Sequence, residues 1–457
     1  MSRQNPIAIN DSFVSPLLER FGDVRVGRGV FLAGNTIMRA DPRRVVCVGD
    51  RTNAQDNVLV LSLSDRRGVS GPCGRRSTNV GERTSLAHQS EVINSRVGDF
   101  TFVGFRARIT NSVIEDGAFV LHAASISNVR IPRDRLVPVG ATITTQAQAN
   151  RLPRKAEAQA EFQREVLEVN AEFAEGYQEL YRREGFDEVV GVSRSPRTTF
   201  NRGRRPRIGR GLEREPFARI VGDVRLGASA RVGRRTSIRA DEGSPFTIGA
   251  NADIEDRVTF HALKGTSIRI GDDLDTDDNV VFHGPLVVGD KLTIADDAIL
   301  FRAVVGNGVT VGDSAVVVGP ADDPIEIRDG VTIPEGTIIT TQATGGRAAL
   351  ARQRSPGGAK SATPASGLPR GQGAARYGRQ RALGDRLGRQ ADLLAQERRR
   401  AVGDVAVGQA DAQHARVSQQ VGIRELLEHG GSEAAGEYVL LDGHEQLVIA
   451  GERAHEP

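Results

Sequence analysis

Repeated pairs of an aliphatic residue followed by glycine constrain the fold of this 457-residue chain more than any other feature. Spacings of five or six residues within each run predict a β-helix, because one aliphatic residue per short strand fills a narrow prism while the small residue permits the corner. Three such strands make a coil of about 18 residues, and stacked coils bury a continuous aliphatic column that no single coil could form alone. The pairs between residues 219 and 318 are Val221-Gly222, Leu226-Gly227, Val232-Gly233, Ile248-Gly249, Ile270-Gly271, Val288-Gly289, Val305-Gly306 and Val311-Gly312.

The first third of the chain repeats the same pattern more loosely, from Val26-Gly27 to Val103-Gly104. Short motifs recur between the two stretches at an offset of 200 residues early and 196 late, which predicts a tandem duplication. The matching motifs are Arg39-Ala40-Asp41 with Arg239-Ala240-Asp241, Phe105-Arg106-Ala107 with Phe301-Arg302-Ala303, and Thr144-Thr145-Gln146-Ala147 with Thr340-Thr341-Gln342-Ala343.

The composition excludes several other classes of protein. With 52 glycines, 16 Phe and no Trp, the chain suits thin layers and tight turns rather than a large conventional core. A formal charge of +3 excludes a globally basic nucleic-acid binder, and no apolar run approaches the length of a membrane span. Cys47 and Cys73 are too few for a disulfide framework or a four-thiolate zinc site, so we expect a reducing, cytoplasmic location and assign them no role.

The segments outside the repeats define the remaining organisation. Apolar residues at spacings of three and four between Phe162 and Tyr177 predict an amphipathic helix that packs along a prism face, followed by a linker to residue 215. We therefore predict a first β-helix over 1–152, the helix and linker over 153–215, a second β-helix over 216–351 and a largely disordered tail over 352–457.

The tail contains a basic segment, with nine Arg against three acidic residues over 370–400. Only Tyr377 interrupts this segment as an aromatic residue, so base stacking is not supported and nucleic acid is not expected as a partner. Residues 437–450 favour a small hairpin to which we assign no function.

One stretch of the second half points to a family. Arg239-Ala-Asp-Glu-Gly, Ile254-Glu-Asp-Arg-Val-Thr-Phe-His261 and Val281-Phe-His283-Gly-Pro285 resemble the γ-class carbonic anhydrases, and especially the anhydrase-like domain of carboxysome scaffold proteins. The resemblance covers about 22–147 and 219–343. It implies a left-handed β-helix trimer that binds Zn²⁺ or Fe²⁺ through three histidines at subunit interfaces.

The resemblance assigns ligands to both halves. His261 and His283 match the first and last ligands of the family, while His88 matches the middle ligand. Asp278 stands in the second half where the family has its middle ligand. Leu61 and Ile93 stand in the first half where the family has the other two.

This distribution predicts a composite site. In the family, two ligands come from one subunit and the middle one from its neighbour, so neither half completes a site with a copy of itself. We expect a homo-oligomer of trimeric β-helix rings, in which a mixed ring holds one complete site and homotypic layers hold none.

The other family positions occur in duplicate. The pairs Arg39–Asp41 and Arg239–Asp241 match residues that frame the family's pocket and form cross-subunit salt bridges. Gln55 matches the residue that contacts hydroxide or bicarbonate, and the second half has Glu255 in its place. A carboxylate at this position would repel bicarbonate, so the efficiency of the site depends on which half contributes this residue.

Three functions follow as hypotheses. The first is reversible hydration of CO₂ to bicarbonate at a site of His88, His261 and His283. The second is a structural or scaffolding descendant of the same family that has lost its activity. The third is a hexapeptide acyltransferase, which shares the fold but has no support here beyond the repeat. No sequence signal identifies a proton shuttle.

Overall fold

The computed structural model describes residues 11–64, 69–74, 76–243 and 245–341, together with the backbone of 8–9, 439–441 and 444–446. Residues 1–359 form one compact unit, which contains two left-handed parallel β-helices in tandem, and residues 360–457 form a second. The predicted fold class is confirmed.

The first β-helix has three parallel sheets, which we name 1A, 1B and 1C; the first strand of 1A pairs antiparallel with the second. Sheet 1A comprises Ala8–Ile9, Ser12–Val14, Phe31–Leu32, Asn53–Ala54, Ser85–Leu86, Phe102–Val103, Phe119–Val120 and Leu136–Val137. Sheet 1B comprises Glu19–Phe21, Ile37–Ala40, Leu59–Ser62, Glu91–Ile93, Arg108–Thr110, Ser125–Ser127 and Thr142–Ile143. Sheet 1C comprises Val24–Val26, Val46–Val48, Thr78–Val80, Arg96–Val97, Val113–Ile114 and Arg130–Ile131.

The second β-helix repeats this plan, although two of its strands continue around a corner and join two faces into one sheet. Sheet 2A comprises Glu213–Arg214, Arg231–Val232, Asp253–Ile254, Asp275–Thr276, Thr293–Ile294, Thr310–Val311 and Thr332–Ile333. The joined sheet 2B comprises Val192–Ser193, Arg207–Ile208, Arg219–Gly222, Val224–Leu226, Ser237–Ala240, Phe246–Ile248, Thr259–Ala262, Ile268–Ile270, Val281–Val288, Ile299–Val305, Val316–Val318, Ile325–Ile327 and Ile338–Ile339.

Glycine is required where the coils of the second β-helix turn. A Cβ on Gly227 would lie 2.3 Å from the carbonyl oxygen of Gly249, and one on Gly249 would lie 2.4 Å from that of Gly271. Any side chain would therefore collide with the backbone of the next coil, which explains why each aliphatic residue is followed by glycine here. The aliphatic partners Leu226, Ile248 and Ile270 are buried in the prism core.

Two α-helices follow the first β-helix, α1 at Gln146–Asn150 and α2 at Glu157–Glu184. The Thr145 side chain caps α1 at the end of the prism. The predicted amphipathic helix is α2, whose Phe173 and Tyr177 pack on Phe13 and Phe31 of sheet 1A.

The segment after α2 is more structured than the predicted linker. A 3₁₀ turn at Phe186–Val189 leads into Val192–Ser193, Arg207–Ile208 and Glu213–Arg214, which pair in parallel with the next coil of the second β-helix. Each of these strands has only two residues and is flanked by Gly or Pro, so the sequence of the segment gives no strand signal. The other predicted domain boundaries stay predictions.

One motif match does not hold in space. Phe105 lies in the corner after Phe102–Val103, whereas Phe301 lies inside Ile299–Val305 and pairs with His283. The counterpart of Phe301 in the first β-helix is Thr110. Thr110 pairs with Ile93 in the first β-helix as Phe301 pairs with His283 in the second. The shared Phe-Arg-Ala tripeptide is therefore a coincidence of sequence.

Cys47 and Cys73 are joined by a disulfide, with their Cα atoms 6.4 Å apart, an interaction that the sequence analysis did not foresee. It fixes the loop that contains Cys73 to strand Val46–Val48. In the second unit, Val439–Leu441 and His444–Gln446 form the predicted hairpin. The basic segment 370–400 lies outside the described residues. In the part of the chain that the structure describes, no helix has the length and apolarity to cross a membrane.

Candidate metal centre

Three histidines from the two β-helices meet in the interior of the compact unit. His261 and His283 lie side by side because their strands, Thr259–Ala262 and Val281–Val288, pair in parallel register. His88 reaches them from the corner that follows Ser85–Leu86. One nitrogen of each ring lies within 4.8 Å of one nitrogen of each of the others. All three side chains are at least 97% buried.

An apolar contact between unlike faces holds the two β-helices together. The second β-helix presents a column of aliphatic residues from sheet 2B, and the first presents aromatic residues from sheet 1A and its corner. We call this the interface cluster: Ala87, Phe102, Phe105 and Phe119 with Val281, Ile299, Phe301, Val316 and Val318. His88 directly follows Ala87 of this cluster, and the His283 ring contacts Phe105 and Phe301. The approach of the two histidines therefore follows from the packing of the two prisms.

A buried ionic network crosses the same interface. Arg239 Nη1 donates to Asp56 Oδ2 at 2.6 Å, and its Nε donates to Asp241 Oδ2 at 2.9 Å. Ser237 Oγ also donates to Asp56, at 2.9 Å. The Tyr177 hydroxyl of α2 donates to Asp241 at 2.5 Å. One guanidinium between two carboxylates therefore joins both β-helices and the intervening helix.

The network keeps its carboxylates charged. Burial alone would raise the pKa of Asp56 and of Asp241, but the Arg239 guanidinium outweighs it and holds both pKa values well below their usual range. The same carboxylates raise the pKa of Arg239 against the effect of its burial.

Two of the three imidazoles are held in the neutral form. Burial lowers the pKa of His88 to about 4, although Asp56 opposes the shift. Burial, with the charges of the neighbouring histidines, also lowers the pKa of His283 well below its ordinary value. Only a neutral imidazole offers a lone pair to a metal, so these environments favour coordination near neutral pH.

The ring contacts fit a three-nitrogen metal site. His283 Nδ1 lies 3.1 Å from the carbonyl oxygen of Gly284, the contact to a backbone acceptor that metal-binding histidines commonly make with the nitrogen that does not coordinate. His88 Nε2 and His261 Nδ1 are buried without a hydrogen-bond partner in the described structure. A tetrahedral site with metal–nitrogen bonds of 2.0–2.1 Å separates its nitrogens by about 3.4 Å. A bound ion would therefore draw the rings closer together.

The remaining predicted residues divide between this site and other surfaces. Gln55 is at the centre, where its Oε1 accepts the backbone N–H of His88 at 3.2 Å. Arg239 and Asp241 are there too. Arg39 and Asp41 pair with each other at 2.8 Å on sheet 1B, where Asp41 accepts from Ser64.

Glu255 and Asp278 lie apart from the three histidines in the described structure. Glu255 is exposed and Asp278 is partly buried, and both belong to a row of acidic residues on the second β-helix. Burial and the charges of neighbouring carboxylates, with Asp278 the strongest, raise the pKa of Glu255 to about 7. Of the two counterparts, Gln55 is therefore the one that lies beside the histidines.

Sequence reasoning missed two residues that contact this network. Glu242 Oε1 lies 3.4 Å from His261 Nε2, and burial raises the pKa of the Glu242 carboxyl to about 7 while His261 opposes the shift. Its position directly after Asp241 could have revealed it. Tyr177 could not have been found, because nothing in an apolar helix stripe shows which residue reaches across the fold to Asp241.

The fold and the site define a left-handed β-helix protein with three convergent, buried histidines that could hold a metal ion at the interface of its two prisms. No protein-family model matches the chain. It is 35% identical over 167 residues to a carboxysome assembly protein CcmM of Nostoc, covering 36% of this chain and 30% of that relative. It is 30% identical over 186 residues to a carbonic anhydrase of Methanosarcina thermophila, covering 38% and 75%.

A mitochondrial gamma carbonic anhydrase 1 of Arabidopsis thaliana is 34% identical over 86 residues, 19% of this chain and 29% of that relative. Because three quarters of the Methanosarcina anhydrase is matched, the chain belongs to the γ-class carbonic anhydrase family. The match spans less than a third of the CcmM relative. A hexapeptide transferase family protein of Anaplasma phagocytophilum is 19% identical, covers 35% of this chain and 90% of that one, and has a TM-score of 0.28.

We predict that Asp56→Asn destabilises the protein, because it removes one partner of a fully buried ion pair that crosses the interface. Loss of one charge from such a pair costs about 3 kcal/mol in the free energy of unfolding. Urea denaturation followed by circular dichroism measures the change. Asp50→Asn, which breaks the exposed pair of Asp50 with Arg28, is the matched control. Equal, small effects of the two substitutions would contradict the structural role of the network.

Proposed function

We propose that this protein is a metal-dependent carbonic anhydrase that hydrates CO₂ reversibly to bicarbonate at one site shared by its two β-helices. The observation that carries the proposal is the convergence of His88, His261 and His283, together with buried ring nitrogens of His88 and His261 that have no hydrogen-bond partner among the described residues. Membership of the γ-class family supports the same reaction.

His88, His261 and His283 would hold the ion, and their nitrogen donor set suits Zn²⁺ or Fe²⁺. When bound by neutral imidazoles, such an ion keeps its double positive charge and lowers the pKa of water at its open position to about 7. Three protein ligands leave that open position available for chemistry.

The surrounding groups orient the ligands. Asp56 Oδ2 lies 3.4 Å from His88 Nδ1, and Asp241 Oδ1 lies 3.3 Å from His261 Nε2. Arg239 fixes both carboxylates, so the two imidazoles are positioned by one guanidinium. Gln55 uses its carbonyl oxygen on the His88 backbone, which leaves its amide N–H groups to orient bicarbonate.

Glu242 would carry the proton that hydration releases. Its carboxyl is buried beside His261, and burial raises its pKa to about 7, so it can both accept and release a proton near neutral pH. The charges of His261, Arg239 and Lys264 oppose this rise in pKa.

A single copy of the chain would suffice for this site. The two β-helices that would contribute the histidine ligands belong to one compact unit. A ring of several copies is therefore not needed to bring the three histidines together. The trimeric rings expected from the sequence are therefore a separate question from activity. The cytoplasmic location also stays a prediction.

A structural role is the second candidate, because one relative is by name a carboxysome assembly protein. In that case the three histidines would be a remnant, and the protein would purify without metal and without hydration activity.

The test is metal content by plasma mass spectrometry and CO₂ hydration, both measured on the same anaerobically purified protein. We expect about one zinc or iron per chain and hydration activity, with both lost in His88→Asn. His122→Asn, which changes another fully buried histidine outside the cluster, should keep the metal. Metal-free, inactive wild type would contradict the proposal and favour the structural role, and metal retained by His88→Asn would exclude the composite site.

We also predict that Glu242→Gln lowers kcat for hydration by about 100-fold while the metal content stays unchanged, because the amide cannot accept a proton. A hindered base such as 1,2-dimethylimidazole should restore part of kcat. Glu326→Gln, on an exposed position of sheet 2B, serves as control. A loss that the added base does not restore would show that Glu242 acts through structure instead.

A further inference from the structure

Arg302 is a partly buried cation without an anionic partner. It follows Phe301 at the corner where strand Ile299–Val305 turns, with its backbone at φ +53°. Burial lowers the pKa of its guanidinium, and among the described residues its side chain makes no ion pair or hydrogen bond. Arg106, by contrast, binds Asp297 at 2.7 Å. A partly desolvated guanidinium is stabilised by an anion, and here the protein provides none.

This cation lies beside the three-histidine cluster. Its Cζ lies 4.5 Å from the centre of the Phe301 ring, and that ring also contacts His283, at 4.9 Å between ring centres. The guanidinium is thus within about 9.4 Å of the His283 ring, the two distances taken end to end. Only an aromatic ring separates the charge from a proposed metal ligand.

The charge of Arg302 also acts on His122, a buried histidine next to the cluster. Burial lowers the pKa of His122 to about 3, and Arg302 adds to this shift. Phe105 stacks between His122, at 4.3 Å, and His283, at 4.7 Å. Arg302 thus lies on the aromatic side of the centre, whereas Asp56, Asp241 and Glu242 are grouped around His88 and His261.

We propose that Arg302 forms an oxyanion subsite beside the metal centre and that bicarbonate is the anion it receives. This inference rests on the proposed function, which supplies bicarbonate as product. A guanidinium matches the planar oxygen pair of such an anion, and it discriminates the anion from neutral CO₂. Arg302 would thereby hold bicarbonate as it enters or leaves the centre.

The test uses full-length protein loaded with Co²⁺ and nitrate as an unreactive planar oxyanion. The nitrate Kd is measured by isothermal titration calorimetry in wild type, Arg302→Gln and Arg302→Lys, and the visible cobalt spectrum reports that the centre is loaded. Loss of the charge-assisted hydrogen bonds that would hold the anion weakens binding by roughly tenfold or more. We expect that loss for Arg302→Gln and a smaller loss for Arg302→Lys, which keeps the charge but not the planar pair of donors.

Arg269→Gln is the control, because it removes an equal charge from the exposed outer face of sheet 2B. Arg302→Met repeats the measurement if Arg302→Gln does not fold. An unchanged nitrate Kd together with a normal cobalt spectrum would overturn the subsite and leave the proposed function standing. Absence of the cobalt spectrum in every variant, wild type included, would overturn the proposed function and the subsite together.

Discussion

The apolar contact between unlike faces of the two β-helices is the interaction on which the rest of this structure depends. By position in the coils, Val281, Ile299 and Val316 of the second prism correspond to Glu91, Arg108 and Ser125 of the first. Phe102 and Phe119 of the first correspond in the same way to Thr293 and Thr310 of the second. If the two prisms packed through the opposite pair of faces, these polar residues would meet at the interface. The observed pair of faces is therefore the one that buries apolar surface.

That asymmetry explains the distribution of the functional groups. The faces that meet retain His88, Asp56 and Gln55 on one side and Arg239, Asp241, His261 and His283 on the other. On the counterpart face of the first prism, Leu61 and Ile93 are buried hydrocarbon, and Glu91 and Arg108 pair at 2.7 Å. Among the described residues, the three histidines and the ionic network beside them therefore come together at the interface between the two β-helices of the chain.

The sequence predicted the prisms well because their cause is local. An aliphatic residue at every sixth position and a glycine at the corner act through the neighbouring coil, so Leu226 and Gly227 reveal their structure without further context. The family resemblance likewise named all three histidines of the cluster, His261 and His283 from the match at 239–285 and His88 from the first half. Arg239, Asp241 and Gln55 were also named, together with the copies Arg39, Asp41 and Glu255.

What the sequence could not decide was which copy faces the cluster, because that depends on how the prisms pack. Glu242 stood within the motif and was overlooked. The role of Tyr177 could not be predicted from the sequence, because its hydroxyl contacts Asp241 only after α2 has packed against both β-helices. The disulfide of Cys47 with Cys73 was equally hidden, because 26 residues of intervening chain must fold before the sulfurs meet. The Phe-Arg-Ala match misled because Phe105 lies five residues before Thr110, the counterpart of Phe301, and five residues carry the chain from one face of the prism to the next.

Complementation between inactive chains tests most directly whether one chain holds the complete site. His88→Asn and His261→Asn proteins would be unfolded together, refolded as a mixture in the presence of zinc, and assayed for bound metal and CO₂ hydration. If the two β-helices pair within a chain, every molecule in the mixture lacks one ligand, and neither metal nor activity returns while refolded wild type recovers both. Recovery of a substantial fraction of wild-type metal and activity in the mixture would contradict this account, because it would show that the two halves of the site come from different chains.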